Sequence, residues 1–176
     1  MNLPLTTTLH TGRFLALVKE GDWEYAERKH ATGVAVIVAV TDDRKLLLVE
    51  QYRVPVHART IELPAGLIGD EPGSHGEAQT QAARRELIEE TGYDAGHVEV
   101  LTLGPSSSGL TSEVVTLFRA TRLHQVGMGG GVVGENIVVH EVALSEIHEW
   151  LEAKAQAGLL IDPKVYAGLY FIGREA

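Results

Sequence analysis

Apolar and polar residues alternate in the first third of the chain in a way that predicts short strands. Residues 13–28 alternate loosely on either side of Gly21 and Asp22, which is typical of a β-hairpin with a tight turn. Residues 34–40 are continuously apolar and mostly β-branched, which predicts a strand buried on both faces. A polar turn follows, and residues 46–51 predict the return strand.

The rest of the chain mixes helical patterns with further strands. Good helix formers fill residues 78–91, and Gly92 is suited to end that helix. Ser145 and Asp162 are suited to begin two later helices, over residues 145–157 and 162–172. Further strands are predicted at 98–103, 114–120 and 137–142, and loops in the glycine-rich stretches 66–76 and 127–134, the second of them mobile. This irregular order favours an α/β fold with a mixed sheet covered by helices.

Composition narrows the class of protein. With 176 residues, 44% of them hydrophobic, the chain is long and apolar enough for one folded domain. A net charge of −9 and the absence of any Lys/Arg run make nucleic acid an unexpected partner. The chain has no cysteine, which excludes disulfides and cysteine zinc sites. Because no signal peptide or membrane-length apolar segment is evident, we expect a cytoplasmic protein without a membrane partner.

Carboxylates crowd one face of the predicted helix at 78–91. Glu89 and Glu90 follow Glu86 by three and four residues, so the three side chains are neighbours on the helix surface. Like charges at this spacing destabilise a helix by roughly 0.2–0.5 kcal/mol per pair. A hard cation such as Mg²⁺ or Mn²⁺ would reverse that cost, because clustered oxygens are its preferred ligands. The alternative is an ordinary acidic helix face in contact with water.

The residues around this cluster resemble a known signature. The segment from Arg85 to Tyr93 reads RELIEETGY and is similar to the second half of the Nudix box, whose pattern is GX5EX7REUXEEXGU. Glu77 precedes Arg85 by seven intervening residues, as that pattern requires. Ten residues separate Gly66 from Glu77 where the pattern has five, which indicates an insertion in the loop.

The resemblance extends beyond the box to the ADP-ribose pyrophosphatase branch of the Nudix family. It is carried by EQYR at residues 50–53, ELPAG at 62–66 and WEY at 23–25, and it covers residues 13–172. It implies a Nudix α/β/α sandwich over residues 32–176, preceded by a small β-hairpin extension over residues 1–31. In this branch the extension pairs two subunits, so we expect a homodimer.

The resemblance also implies a role for particular positions. Arg85 would hold the glutamates in place, and Glu90 would take part in catalysis as well as in metal binding. Arg53, Glu62 and Glu113 would contact the substrate. The ligands of Mg²⁺ or Mn²⁺ would be Ala65 through its carbonyl, Glu77, Glu86, Glu89 and Glu90.

Two further residues carry open alternatives. Glu135 follows the glycine-rich run, where this branch has the general base, but it could equally be a solvated loop residue; Glu141 is a weaker candidate. Trp23 could stack on a nucleobase or ribose of the substrate, or pack within the hairpin or a dimer interface.

The resemblance implies metal-dependent hydrolysis of a nucleoside diphosphate derivative, with ADP-ribose, split into AMP and ribose 5-phosphate, as the first candidate. Ser108 stands where the ADP-ribose branch has a proline, so GDP-mannose or another nucleotide sugar stays open as the substrate. A nucleotide-sensing domain without hydrolytic activity is a third possibility. The retained Glu86, Glu89 and Glu90 argue against it.

Overall fold

The computed structural model describes residues 5–69, 78–131 and 134–174. Within these ranges the chain forms eleven strands, three α-helices and one 3-10 turn at Val54–Val56. The strands are β1 Thr6–Thr11, β2 Leu15–Glu20, β3 Trp23–Arg28, β4 Gly33–Ala39, β5 Lys45–Arg53, β6 Ala58–Glu62, β7 Ala65–Ile68, β8 Tyr93–Pro105, β9 Val114–Gln125, β10 Val138–Ala143 and β11 Leu160–Ile161. The helices are α1 Gln79–Thr91, α2 Ile147–Gln156 and α3 Pro163–Gly173. No helix of the described part has the length and apolarity needed to cross a membrane.

The strands form three sheets in the described part of the chain. One sheet has the order β1-β2-β3, the second β10-β5-β6-β11 and the third β7-β4-β9-β8. The pairs β4–β9 and β6–β11 are parallel, and the other pairs are antiparallel. The mixed sheet expected from the irregular order of elements is therefore confirmed.

Strand β4 is buried on both faces, as its unbroken apolar run predicts, and it contributes to two hydrophobic clusters. Its residues Ala35 and Ile37 join a cluster with Leu87 of α1, whereas Val36 and Val38 join a cluster that reaches α2 and α3. Because side chains alternate across a strand, β4 is sandwiched between helices on its two sides. The α/β/α arrangement implied by the resemblance is confirmed.

The N-terminal hairpin is present as β2 and β3, with Gly21 in its turn at a φ of 59°. A third strand, β1, pairs with β2 and was not predicted. The segment before β9 also joins this sheet, because Ala26 donates its amide to Leu110 (2.8 Å) and accepts one from Ser112 (3.1 Å). The small sheet is thus tied to the larger domain.

Three local predictions need correction. Residues 66–68 belong to strand β7 rather than to a loop, because they pair with β4; residues 70–77 of that predicted loop lie outside the described residues. Strand β8 is longer than the predicted 98–103. Helix α2 begins at Ile147 with Glu146 at its N-cap, so Ser145 does not cap it. The third helix begins as predicted, with the Asp162 side chain accepting from the Lys164 amide.

Candidate active site

Helix α1 supplies the carboxylates of the site. It ends where the sequence predicts, because Gly92 takes a left-handed conformation (φ 76°) and its amide donates to the Ile88 carbonyl at 2.9 Å. Leu87 on one face is fully buried against the sheet. That anchoring holds Glu86, Glu89 and Glu90 toward an open cleft.

The cleft has a volume of about 500 Å³ and collects most of the site residues predicted from the sequence. Residues of β3 to β7, β9, α1 and α3 line it, together with Ser106 and Glu113 from the loop before β9 and Glu135 from the loop before β10. The predicted residues on its wall are Arg53, Glu62, Ala65, Arg85, Glu86, Glu89, Glu90, Glu113 and Glu135.

Glu90 is the buried carboxylate of α1, with 7% of its surface exposed. Its Oε2 accepts a hydrogen bond from the Ala65 amide at 2.9 Å. Burial raises the pKa of Glu90 to about 8, and repulsion from Glu86 and Glu135 adds to the shift, whereas the Ala65 amide and Arg53 oppose it. A buried acid among other acids is unfavourable by itself, and a cation at this position would relieve it.

The carboxylate of Glu86 is held between Arg85 and the backbone of β7. Arg85 donates from Nη1 to Glu86 Oε1 at 2.7 Å, and its Nη2 donates to the Leu67 carbonyl at 3.3 Å. The same Nη1 lies 3.5 Å from Oε2 of Glu89. A Cβ atom at Gly66 would overlap the Glu86 carboxylate. Arg85 therefore makes the contacts that its expected role requires, and Gly66 leaves space for the acid.

Arg53 of β5 and Glu62 of β6 form a two-pronged ion pair in the cleft. Arg53 donates from Nε and from Nη2 to the two oxygens of Glu62, each at 2.7 Å. Thr60 donates its hydroxyl to the same carboxylate. Burial alone would raise the pKa of Glu62, but the hydrogen bonds from Arg53 and Thr60 together have the larger effect, so the pKa is lowered. Glu62 is thus an ionised acceptor that fixes the orientation of Arg53.

Two cations on the wall of the cleft were not predicted. Arg28, at the end of β3, forms an ion pair with Glu113, and Lys164, in the first turn of α3, pairs with Asp162. Nothing in the sequence pattern around either residue marks it as functional. Their position depends on how the N-terminal sheet and the last helix pack on the domain.

The two candidates for the general base lie in different places. Glu135 lines the cleft beside Glu89 and Glu90. Glu141 lies on β10, where it accepts a hydrogen bond from the Tyr93 hydroxyl at 2.6 Å and lies 3.7 Å from Lys45. That hydrogen bond, then burial, raises the pKa of Tyr93 to about 12. Glu135 is therefore the candidate with access to the cleft.

Trp23 is the one predicted site residue, among those that the structure describes, that does not line this cleft. Trp23 lines a separate pocket of about 420 Å³, together with Glu20, Tyr25 and residues 108, 109, 111 and 112. Glu77, expected to support the metal, lies outside the described residues.

The donor set of the cleft suits a hard divalent cation. Glu86, Glu89, Glu90 and Glu135 all supply carboxylate oxygens, the ligands that Mg²⁺ and Mn²⁺ prefer. In the conformation described for residues 5–69, 78–131 and 134–174, no three His, Asp or Glu side chains already converge into a metal cage. Glu90 and Glu86 are instead turned to the Ala65 amide and to Arg85.

Comparison with known proteins settles the family. Residues 30–160 match the model of the NUDIX domain. The chain belongs to the NUDIX family. The matched range includes α1 with its carboxylates, β7 with Gly66 and the segment that carries Glu135. These parts of the cleft therefore belong to the NUDIX domain.

Several curated proteins are similar to this NUDIX chain. A methanol dehydrogenase activator of Bacillus methanolicus is 32% identical over 69% of this chain and 64% of its own length. An ADP-ribose pyrophosphatase of Bacillus subtilis (strain 168) is 40% identical over 54% of this chain and 48% of its own length. A GDP-mannose pyrophosphatase of Escherichia coli (strain K12) is 29% identical over 82% of this chain and 78% of its own length. The matches to the first two span about half to two thirds of those relatives.

A solved structure titled as an ADP compounds hydrolase has the same fold. It superposes with a TM-score of 0.67 at 22% identity, covering 86% of this chain and 82% of its own. The NUDIX fold inferred from the sequence is confirmed by this likeness.

Proposed function

We propose that this NUDIX protein is a pyrophosphatase that hydrolyses the diphosphate bond of a nucleoside diphosphate derivative with the help of Mg²⁺ or Mn²⁺. The observation that carries the proposal is the cleft itself. Its lining brings together Glu86, Glu89 and Glu90 of α1 and the cation Arg53 of β5. The negative charge of a diphosphate must be neutralised when it binds beside these acids, and Arg53 and a bound cation would provide the positive charge.

The cation would be held by Glu86, Glu89, Glu90 and the Ala65 carbonyl. Arg85 would keep the carboxylates of Glu86 and Glu89 in place through its contacts with them. A divalent cation bound there supplies charge neutralisation and lowers the pKa of a bound water. Arg53, oriented by Glu62, would bind the diphosphate by paired hydrogen bonds. Glu113, held by Arg28, would contact the substrate beside it. The proposed base is Glu135, which would accept the proton of the attacking water.

ADP-ribose is the substrate we propose first, with AMP and ribose 5-phosphate as products. The similarity to the Bacillus subtilis ADP-ribose pyrophosphatase supports this choice. GDP-mannose is the second candidate, because the similarity to the Escherichia coli GDP-mannose pyrophosphatase extends over more of the chain. Trp23 would stack on a base or sugar only if the substrate reaches the pocket beyond the cleft. A cytoplasmic location stays a prediction.

A phosphate-release screen tests the proposal. Pure protein is incubated with ADP-ribose, GDP-mannose, NADH and dinucleoside polyphosphates, each with Mg²⁺ or Mn²⁺ and with EDTA. We expect metal-dependent cleavage of at least one nucleoside diphosphate derivative. Binding of these nucleotides without any cleavage would favour the nucleotide-sensing alternative over the enzyme.

The matched variants are Glu90→Gln and, as a control, Glu149→Gln on the exposed face of α2. Glu90→Gln removes a proposed ligand charge but keeps the size of the side chain, so we expect turnover to fall by about 100-fold or more while the fold survives. Glu149→Gln should leave turnover unchanged. Undiminished Mg²⁺-dependent activity in Glu90→Gln would disprove the assignment.

We also propose that the three-stranded N-terminal sheet of β1–β3 pairs two copies of the chain. Leu15 and Leu17 point away from the buried Val18 and are exposed, as is Phe14 before them. Exposed apolar side chains grouped on one sheet are typical of protein interfaces. A second copy of the chain is the proposed partner.

A further inference from the structure

The glycine-rich segment 127–131 is not free of the domain but lies on the end of α1. Its Gly130 amide donates to the Glu90 carbonyl at 2.8 Å, and its Gly131 amide donates to the Glu89 carbonyl at 3.0 Å. The Gly92 carbonyl accepts in turn from the amides of Val126 and Gly127. The last carbonyls of a helix lack partners within the helix, so these bonds complete the end of α1.

The backbones of the two segments touch too closely for side chains. A Cβ at Gly92 would overlap the Gly127 carbonyl and come within 2.7 Å of the Gly129 nitrogen. A Cβ at Gly129 would come within 2.7 Å of the Glu90 carbonyl oxygen. In both cases the obstacle is backbone, which cannot turn aside. Glycine is therefore required on both sides of this contact.

Gly131 makes a different contact, with the acid that we propose as the base. A Cβ at Gly131 would overlap Oε2 of Glu135 and come within 2.9 Å of Cδ1 of Ile137. The carboxylate of Glu135 thus lies against the Cα of Gly131, whose amide is bonded to the Glu89 carbonyl. One short segment joins the proposed base to the backbone of two proposed metal ligands.

We propose that Gly131 is a positioning residue: by docking on the end of α1 and leaving space for the Glu135 carboxylate, it sets the base relative to Glu89 and Glu90. The inference rests on the proposed function and extends it. It gives the glycine run a catalytic purpose, because a shift of the base by about 1 Å can cost about 100-fold in rate.

Three alanine variants isolate the contact. Gly131→Ala adds the methyl group that displaces Glu135. Gly158→Ala, after α2 and away from the cleft, shares the cost of a positive φ (91° against 79° at Gly131), but its Cβ meets no atom within 4 Å beyond its chain neighbours. Gly127→Ala has neither a positive φ nor a close contact, its nearest atom being the Gly92 Cα at 4.0 Å. We expect kcat to fall about 10- to 100-fold in Gly131→Ala with KM within about twofold, and kcat to stay within about threefold in the two controls.

A double-mutant cycle separates positioning from a general loss of structure. If Gly131 acts through Glu135, then Gly131→Ala should change kcat less than about twofold when Glu135→Gln is already present. Multiplying losses in the double variant would overturn the proposal, as would a Gly131→Ala enzyme with normal kcat. Either result would bear only on this inference, because each of them requires a wild-type enzyme that is active. A wild-type chain that cleaves none of the screened substrates would instead remove the proposed function, and the positioning role with it.

Amide hydrogen exchange provides a readout that does not need activity. We expect the Gly130 and Gly131 amides to exchange more slowly than an unstructured glycine amide in the wild-type chain, since both donate to α1. Exchange at the rate of an unstructured glycine at both positions would overturn the docking and hence the proposal.

Discussion

Gly66 illustrates how a single residue shapes the cleft. It lies in β7 opposite α1, and its Cα faces the carboxylate of Glu86 so closely that no Cβ would fit. Its φ is not positive, so alanine would not strain the backbone there. The need for glycine at this position is therefore one of space and not of conformation.

Gly66→Ala should displace Glu86 and weaken the proposed metal site while leaving the fold intact, because the end of a glutamate side chain can swing away. We expect the Mg²⁺ concentration for half-maximal activity to rise roughly 10- to 100-fold, the range for residues that orient metal ligands. The measurement is a Mg²⁺ titration of activity. Gly104→Ala on β8, with no atom within 4 Å of its Cβ, is the control. An unchanged Mg²⁺ requirement in Gly66→Ala would show that Glu86 does not bind the cation from this position.

Residue spacing alone predicts the residues of the cleft only where they share one element, whereas the predictions for Arg53, Glu62 and Glu113 depend on the resemblance. Glu86, Glu89 and Glu90 follow from helical spacing, since neighbours on a helix face are fixed by the helix itself. Arg28 and Lys164 could not be predicted, because three elements distant in sequence must pack together before either reaches the cleft. Glu135 was inferred from resemblance, and its contact with Gly131 depends on the conformation of the loop that joins them, which the residue pattern does not predict.

At the scale of elements, β5 serves two environments through its alternating side chains. Gln51 and Arg53 face the cleft, whereas Glu50 turns to the other side of the sheet. There it accepts from Arg59 Nε at 2.6 Å and from Lys154 Nζ at 3.1 Å, and it lies 3.0 Å from His140 Nε2. The carboxylate therefore joins β5 to β6, β10 and α2.

This carboxylate should make stability depend on acid. Burial by itself would raise the pKa of Glu50, but the hydrogen bonds from Arg59, His140 and Lys154 together have the larger effect. They lower the pKa from an ordinary value of 4.5 to about 2. A lowered pKa in the folded state means that the stabilisation is complete above about pH 4.5 and is lost as the pH falls toward 2. Glu50→Gln should thus lower the free energy of unfolding at pH 7 by on the order of 1–2 kcal/mol, after allowance for partial exposure.

Urea unfolding of the wild type and Glu50→Gln at pH 7, 5, 4 and 3 checks this expectation. The difference between the two proteins should be largest at pH 7 and shrink below pH 4.5. Glu99→Gln, which removes an exposed partner of Arg119 (3.2 Å), is the matched control and should cost less than about 1 kcal/mol. A gap between the wild type and Glu50→Gln that does not change with pH would contradict the assigned pKa.

Elements with a strong internal pattern were predicted well, and those that depend on a neighbour were not. Strand β4 and helix α1 carry their own periodicity and end signals. Strand β1 reads TTTLHT, with a single apolar side chain, and forms because β2 offers it an edge. The last three residues of β7 begin the glycine-rich stretch that predicts a loop, but they form a strand because β4 pairs with them.

At the scale of the molecule, the cleft lies where several units meet. Strands β5 to β7 form its floor, α1 supplies the acids, the N-terminal sheet brings Arg28, and α3 brings Lys164. The Arg28–Glu113 ion pair and the backbone bonds between β3 and residues 110–112 join the small sheet to the segment that enters β9. A change in how the N-terminal sheet is held would therefore reach the wall of the cleft.

The proposed pairing of two copies through β1–β3 can be tested on this basis. Leu17→Asp places a charge on the exposed apolar face of the small sheet, where burial in an interface would be costly. Light scattering should give a wild-type mass of twice the 19.0 kDa of one chain and a monomer mass for Leu17→Asp. Leu103→Asp, at a more exposed leucine on β8 (67% against 41% for Leu17), is the control and should keep the wild-type mass. A wild-type protein with the monomer mass would contradict the proposed dimer. A Leu17→Asp protein that still has the dimer mass would show that the interface lies elsewhere. Because Arg28 lies on the same sheet, dissociation should also lower the activity, whereas an interface far from the cleft would leave it unchanged.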